Sequence, residues 1–75
     1  MRELVQVIAK ALVDKPESVS VNEIQGENSI ILELKVHPED MGKVIGKQGK
    51  IAKAIRTVVK AAAIKEEKRV VVEII

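Results

Sequence analysis

The stretch Pro38-Glu39-Asp40-Met41-Gly42-Lys43-Val44-Ile45-Gly46-Lys47-Gln48-Gly49-Lys50-Ile51 sets two glycines, with two polar residues between them, inside an otherwise helical pattern. Pro38 suits a first helical position because its missing N–H has no partner there, and Glu39 and Asp40 complement the positive end of a helix dipole. A short helix is expected from about Pro38 to Ile45. Gly46 is expected to close it in a left-handed cap, and a longer, Ala-rich helix follows from Lys50 to about Ile64.

Outward from this hairpin the pattern changes period. Ile30, Leu32, Leu34 and Val36 alternate with Glu33 and Lys35, which is the clearest strand in the chain. Gly26-Glu27-Asn28 supplies a turn before it. Ser18 to Gln25 reads as a partner strand, with Val19 and Val21 alternating against Ser20 and Asn22 until the pattern slips at Ile24, where a bulge would fit. Arg2 to Val13 places Leu4, Ile8 and Leu12 on one helical face with Val5 beside them, and Pro16 stops that helix. Beyond the hairpin, Lys65-Glu66-Glu67-Lys68 is a charged connection, and Arg69 to Ile75 is a strand with Val70, Val72 and Ile74 on one face. The expected order is α-β-β-α-α-β, an α+β fold in which a three-stranded sheet carries three helices on one face.

Composition narrows the function. The 75 residues suit one domain. There is no Cys, which removes disulfides, thiolate nucleophiles and zinc ribbons, and no apolar run long enough to span a bilayer. The first residues, with Arg2, Glu3 and Lys10, do not resemble a secretory signal, so a cytoplasmic location is expected with no membrane partner. His37 stands alone without a second ligand at metal spacing and reads as a boundary residue. Glu39 and Asp40 are neighbours that point apart on a helix, unsuited to acid–base work. No catalytic, metal or cofactor site is expected, and no enzyme activity.

Charge and aromatic content point elsewhere. From Met41 to Lys65 there are seven cations, Lys43, Lys47, Lys50, Lys53, Arg56, Lys60 and Lys65, and no acid. The remainder holds six cations against eleven acids, a net charge of −5 beside +7. A one-sign segment in a chain of formal charge +2 is the footprint of a polyanion site, or else a solvated helix face. The chain has no aromatic residue, so base stacking of the RRM or OB kind is closed to it. Aliphatic walls and backbone must serve instead.

The turn Gly46-Lys47-Gln48-Gly49 offers such a backbone site. Gly46 permits a sharp exit from one helix, and Gly49 lacks the Cβ that would hold a sugar-phosphate chain away. The next helix begins with unpaired N–H groups and a positive dipole end, to which Lys47 and Lys50 add charge. Lys43, Lys53 and Arg56 extend the positive surface, and Ile45, Ile51 and Ile55 with a strand edge would line an aliphatic groove for bases. A Gly-x-x-Gly alone is weakly specific. Preceded by Val44-Ile45, followed by Lys50-Ile51, centred in the acid-free segment and framed by strands, it resembles the GXXG loop of the KH domain, and the extra leading helix and strand resemble its type II, bacterial arrangement. The resemblance covers essentially the whole chain, residues 1–75. It implies single-stranded RNA clamped over about four nucleotides, Gly46, Lys47, Gln48 and Gly49 as the clamp, Lys65 to Lys68 as the variable loop at the other lip, and a role as an RNA chaperone or post-transcriptional regulator.

Two other readings stay open. A helix-hairpin-helix on duplex DNA also holds phosphates with a glycine-containing loop, although it normally lacks flanking strands. A protein-interaction module would use the glycines only structurally. A nucleotide-binding P-loop is excluded, because neither Gly42 nor Gly46 begins Gly-x-x-x-x-Gly-Lys-Ser/Thr. In the long helix, Ile51, Ala52, Ile55, Val59 and Ala62 form one arc for the sheet, and Ala54, Val58 and Ala61 widen it, with Thr57 and Ile64 alongside. Either the first helix covers that second arc or a partner does. Small free-standing KH proteins are associated with homodimers and with a larger KH-containing partner, which the resemblance extends to this chain.

Overall fold

A computed structural model describes the backbone of residues 1–75 and every side chain but that of Lys47, which lies outside the described residues. Helix α1 spans Arg2–Leu12, strand β1 Ser20–Gln25, β2 Ser29–Lys35, helix α2 Pro38–Ile45, α3 Lys50–Ala62 and β3 Arg69–Ile74, with single 3-10 turns at Pro16–Ser18 and Ala63–Lys65. The order is the α-β-β-α-α-β read from the sequence. Among the described residues no helix is long and apolar enough to cross a membrane.

Helix α1 ends where Val13 turns extended, at φ −105° and ψ 162°, ahead of Pro16. Its buried stripe is Val5, Ala9 and Val13, with Ile8 packed against them, whereas Leu12 is exposed. That stripe lies one residue on from Leu4, Ile8 and Leu12.

The sheet runs β1-β2-β3, antiparallel between β1 and β2 and parallel between β2 and β3. The Gly26 N–H donates to the Ser29 carbonyl at 2.7 Å and closes the β1–β2 hairpin. Val21, Ile30, Leu32, Leu34 and Val72 face the helices, where Val5, Val44, Ile55 and Val59 meet them in one core. Burial of a Leu or Val side chain of this kind contributes about 1.5–3 kcal/mol. The slip at Ile24 is not a bulge. Pairing is unbroken from Ser20 with Lys35 to Gln25 with Ile30, and Ile24 sits opposite Ile31, which in turn neighbours Val71. The residue breaks the expected alternation because it belongs to a short apolar row on the sheet face away from the helices.

Helix α2 is tied to the exit of α1 from both sides. His37 caps α2, its Nδ1 accepting the Glu39 N–H at 3.0 Å. Asp40, only 2% exposed, accepts the backbone N–H groups of Asp14 at 3.2 Å and Lys15 at 2.9 Å. A buried carboxylate is tolerated when charge-assisted bonds replace its water. Asp40 is therefore more than a dipole partner: it fastens α2, and with it the turn that follows, to the α1 end of the molecule. Glu39 adds an exposed ion pair with Lys15 at 3.7 Å.

Candidate nucleic-acid interface

The turn between α2 and α3 owes its shape to two glycines acting differently. Gly46 is extended, at φ −74° and ψ −175°, so the left-handed cap expected there does not form. It must be glycine for another reason: a Cβ would run into the Gly42 carbonyl oxygen, which accepts the Gly46 N–H at 2.7 Å. The left-handed conformation falls on the next residues but one, Gln48 at φ 63° and Gly49 at φ 68°. A hydrogen bond from the Gly49 N–H to the Gly46 carbonyl, 2.9 Å, closes the reverse turn. Around Gly49 a Cβ would meet nothing within 4 Å, so the backbone there faces open space. Among the described residues no side chain caps α3, whose start follows directly on this turn.

From this turn a line of cations descends α3. At about 100° per residue, Gly49, Lys53, Arg56 and Lys60 fall within roughly 60° of one another on the helix surface. All three cations are exposed. The stripe borders a groove of about 320 Å³ between α3 and the edge strand β3, lined by Arg56, Val59, Lys60, Arg69, Val70, Val71 and Val72. An aliphatic floor thus lies between cationic walls, beside a strand whose outer edge has no partner in the sheet. The connection Lys65–Lys68 is pinned at the groove's far end, where Lys68 Nζ donates to the Gly26 carbonyl at 3.0 Å and the Arg69 N–H to the Asn28 carbonyl at 3.0 Å.

Residues 2–74 match the family model of the KhpA/KhpB KH domain. The chain belongs to that family. It is 83% identical over 75 residues to the RNA-binding protein KhpA of Clostridium perfringens, with 100% of both chains covered. To the RNA-binding protein KhpA of Aquifex aeolicus it is 49% identical, covering 100% of this chain and 95% of that one. Among solved structures, Era in complex with MgGDPNP and nucleotides 1506–1542 of 16S ribosomal RNA aligns at a TM-score of 0.66 and 22% identity, over 97% of this chain and 28% of that one, a likeness of fold.

The KhpA/KhpB domain places the residues singled out from the sequence in different parts of the fold. Gly46, Gln48, Gly49 and Lys50 lie together at the turn, with Lys53 and Arg56 on the stripe below; the Lys47 side chain is outside the described residues. Ile45 is 56% exposed beside the turn and Ile51 is half-buried. Ile55, by contrast, is 0% exposed and belongs to the core, so it lines no groove. It stands on the sheet-facing arc of α3, as the helical spacing that named it already implies. Lys43 is engaged elsewhere, its Nζ 3.1 Å from the Asp14 carboxylate in an exposed ion pair. Lys60 and Arg69 line the groove without having been singled out as site residues. The i, i+4, i+7, i+11 spacing of Gly49, Lys53, Arg56 and Lys60 could have found the first. Arg69 depends on β3 being an edge strand beside α3, which no local spacing reveals. Finally, Ala54, Val58 and Ala61 are exposed, Val58 at 39%, with Ile64 at 82% nearby, so α1 leaves the second arc of α3 uncovered.

Proposed function

We propose that the chain binds single-stranded RNA in the cytoplasm, holding the phosphate backbone on the Gly46–Gly49 turn and the bases in the α3–β3 groove. It acts by binding alone, as an RNA chaperone or post-transcriptional regulator. The observation that carries this reading is the left-handed turn at the head of α3, opening directly onto the Lys53–Arg56–Lys60 stripe. A polyanion meets free N–H groups, a helix N-terminus and then a row of cations along one line. The name RNA-binding protein KhpA, carried by relatives of 83% and 49% identity, supports RNA as the polyanion. A helix-hairpin-helix on duplex DNA fits less well, since here the second wall of the groove is a strand of the packed sheet.

The test is the double substitution Lys47→Asp, Gln48→Asp, read by fluorescence anisotropy on short single-stranded RNAs with circular dichroism of both proteins. Gln48 is exposed, and Asp tolerates a left-handed backbone better than most residues, so the fold persists. Two negative charges at the helix start repel the phosphates, and binding is lost. With two or three phosphates neutralised, log affinity of the wild type falls against log salt with a slope between about −1.4 and −2.1, at roughly −0.7 per contact. A folded double variant that binds as tightly as wild type removes the clamp and leaves a protein-interaction module. Duplex DNA outcompeting single-stranded RNA favours the hairpin reading.

Partner association is a second part of the reading. The uncovered arc of Ala54, Val58 and Ala61 presents small and aliphatic side chains to a second copy of the chain or to a larger KH-containing protein. That arc sits on α3 away from the cation stripe, so both surfaces can be occupied at once.

A further inference from the structure

The α3–β3 groove carries more than an affinity for phosphate. Its deepest part, about 320 Å³, is at the small end of ligand pockets, roughly 300–1,000 Å³, and is enough to seat one base with its sugar. The floor of Val59, Val70 and Val72 contacts any base face alike. Discrimination between bases has to come from the polar groups around it, and the side chains able to supply it are cations.

The chain uses arginine sparingly. Of its thirteen cations three are arginines; Arg2 lies on α1 beside Glu3, and the other two, Arg56 and Arg69, both line this groove. Lysine serves as a phosphate counter-charge, and Lys47, Lys50, Lys53 and Lys60 lie at the turn and along the stripe. A guanidinium differs in presenting a planar fork of donors with no acceptor, matched to two neighbouring acceptor atoms. Among the bases, guanine presents such a pair at O6 and N7 on a two-ring face that spans the groove, cytosine offers O2 and N3 on a smaller ring that spans less of it, and adenine sets its amino donor beside N7. In uracil an N–H separates the two carbonyl oxygens. The fork at position 56 is also unengaged: among the described residues Arg56 has no ion pair, in contrast to Lys15 and Lys43. It is exposed and stands seven residues below Gly49, roughly 10 Å along the helix, past the point where the turn meets the phosphates.

We propose that Arg56 is the base-reading residue of this groove and that it selects guanine, at the nucleotide lying beyond the one held on the Gly46–Gly49 turn. The selection rests on the single-stranded RNA reading above and adds to it a preferred substrate class, guanine-containing single strands. Lys60 and Arg69 close the groove around the same base and its sugar.

The experiment measures anisotropy with uridine-only RNA oligomers carrying one central guanine, adenine, cytosine or 7-deazaguanine, for the wild type, Arg56→Lys and Arg56→Gln. The wild type binds the guanine oligomer about tenfold or more tightly than the uridine and adenine ones, the discrimination of one bidentate pair. Loss of N7 in 7-deazaguanine removes most of that ratio. Arg56→Lys, which keeps the charge but not the fork, and Arg56→Gln both bring the guanine-to-uridine ratio toward one; because the side chain is exposed, circular dichroism stays unchanged. Equal binding of all oligomers by the wild type, a preference for cytosine or adenine, or a guanine preference that survives in Arg56→Lys overturns the proposal while leaving RNA binding intact. A wild type that binds none of the oligomers overturns both.

Discussion

At the scale of single residues, the turn is governed by positions whose roles differ although the residue type repeats. Gly46 is required because the Gly42 carbonyl oxygen occupies the place of a side chain, and Gly49 because its φ is +68° in open space. The pairing of the two glycines was legible in the sequence; which one would be left-handed was not, since both a cap and a close approach select glycine. Gln48 was legible only as polar. Its φ of 63° carries strain of about 1 kcal/mol that a glycine would avoid, and such strain at an exposed turn is retained where geometry matters for binding. Asp40 shows the same ambiguity in another form. An acid in the first turn of a helix always suits the dipole, so nothing local revealed that its carboxylate is 2% exposed and spent on the Asp14 and Lys15 amides. Asp40→Ala leaves those two N–H groups without their acceptor and is expected to cost about 1.5–3 kcal/mol. For a domain of this size that lowers the melting temperature by roughly 6–24 °C. Thermal unfolding followed by circular dichroism checks it, and a melting temperature within 2–3 °C of wild type, on the order of the smallest shift that counts here, shows that water takes over the acceptor's place.

At the scale of elements, the helices and strands were legible almost to their ends because each has a consistent period and clear punctuation. Pro38–Ile45 is bounded by Pro38 and Gly46, and Ile30, Leu32 and Leu34 alternate without interruption. Ile24 was misread because period alone cannot separate a bulge from a second apolar row; Ile31 and Val71, which complete that row, lie on other strands. Helix α3 bears three different surfaces. Ala52, Ile55 and Val59 pack on the sheet, Lys53, Arg56 and Lys60 border the groove, and Ala54, Val58 and Ala61 face solvent. The question of whether α1 covers the third surface was beyond helical spacing, because it depends on where α1 crosses the sheet. Its exposure predicts association through close helix approach: sedimentation of the wild type shows a concentration-dependent rise from monomer toward dimer, and Val58→Asp remains monomeric with an unchanged circular dichroism spectrum. A wild type that sediments as a monomer at the highest concentrations reached removes the interface.

At the scale of the whole molecule, charge and topology act together. The segment of charge +7 folds into the greater part of α2, the turn and all of α3, while the segments totalling −5 supply α1, the start of α2 and all three strands of the sheet. The charge asymmetry was visible in the sequence; the placement of β3 at the edge beside α3, which turns a charged helix into one wall of a groove, required the parallel pairing of β2 with β3. One such groove with one turn would neutralise few phosphates, and so would hold a short strand weakly. A dimer through α3 would bring two turns to one strand, making the second contact intramolecular and raising affinity without new chemistry. Salt dependence separates this from a mere increase in sites along a longer RNA. If both turns engage, the number of phosphates neutralised doubles, and the slope of log affinity against log salt steepens from about −1.4 to −2.1 on a short RNA to about −3 to −4 on a long one. Extra sites on a long strand multiply affinity but leave the slope of each binding event unchanged. Anisotropy across a salt series with short and long unstructured RNAs measures both, with Val58→Asp as the monomeric reference. The wild type steepens on the long RNA and Val58→Asp does not; a slope independent of length in the wild type means that each copy binds alone.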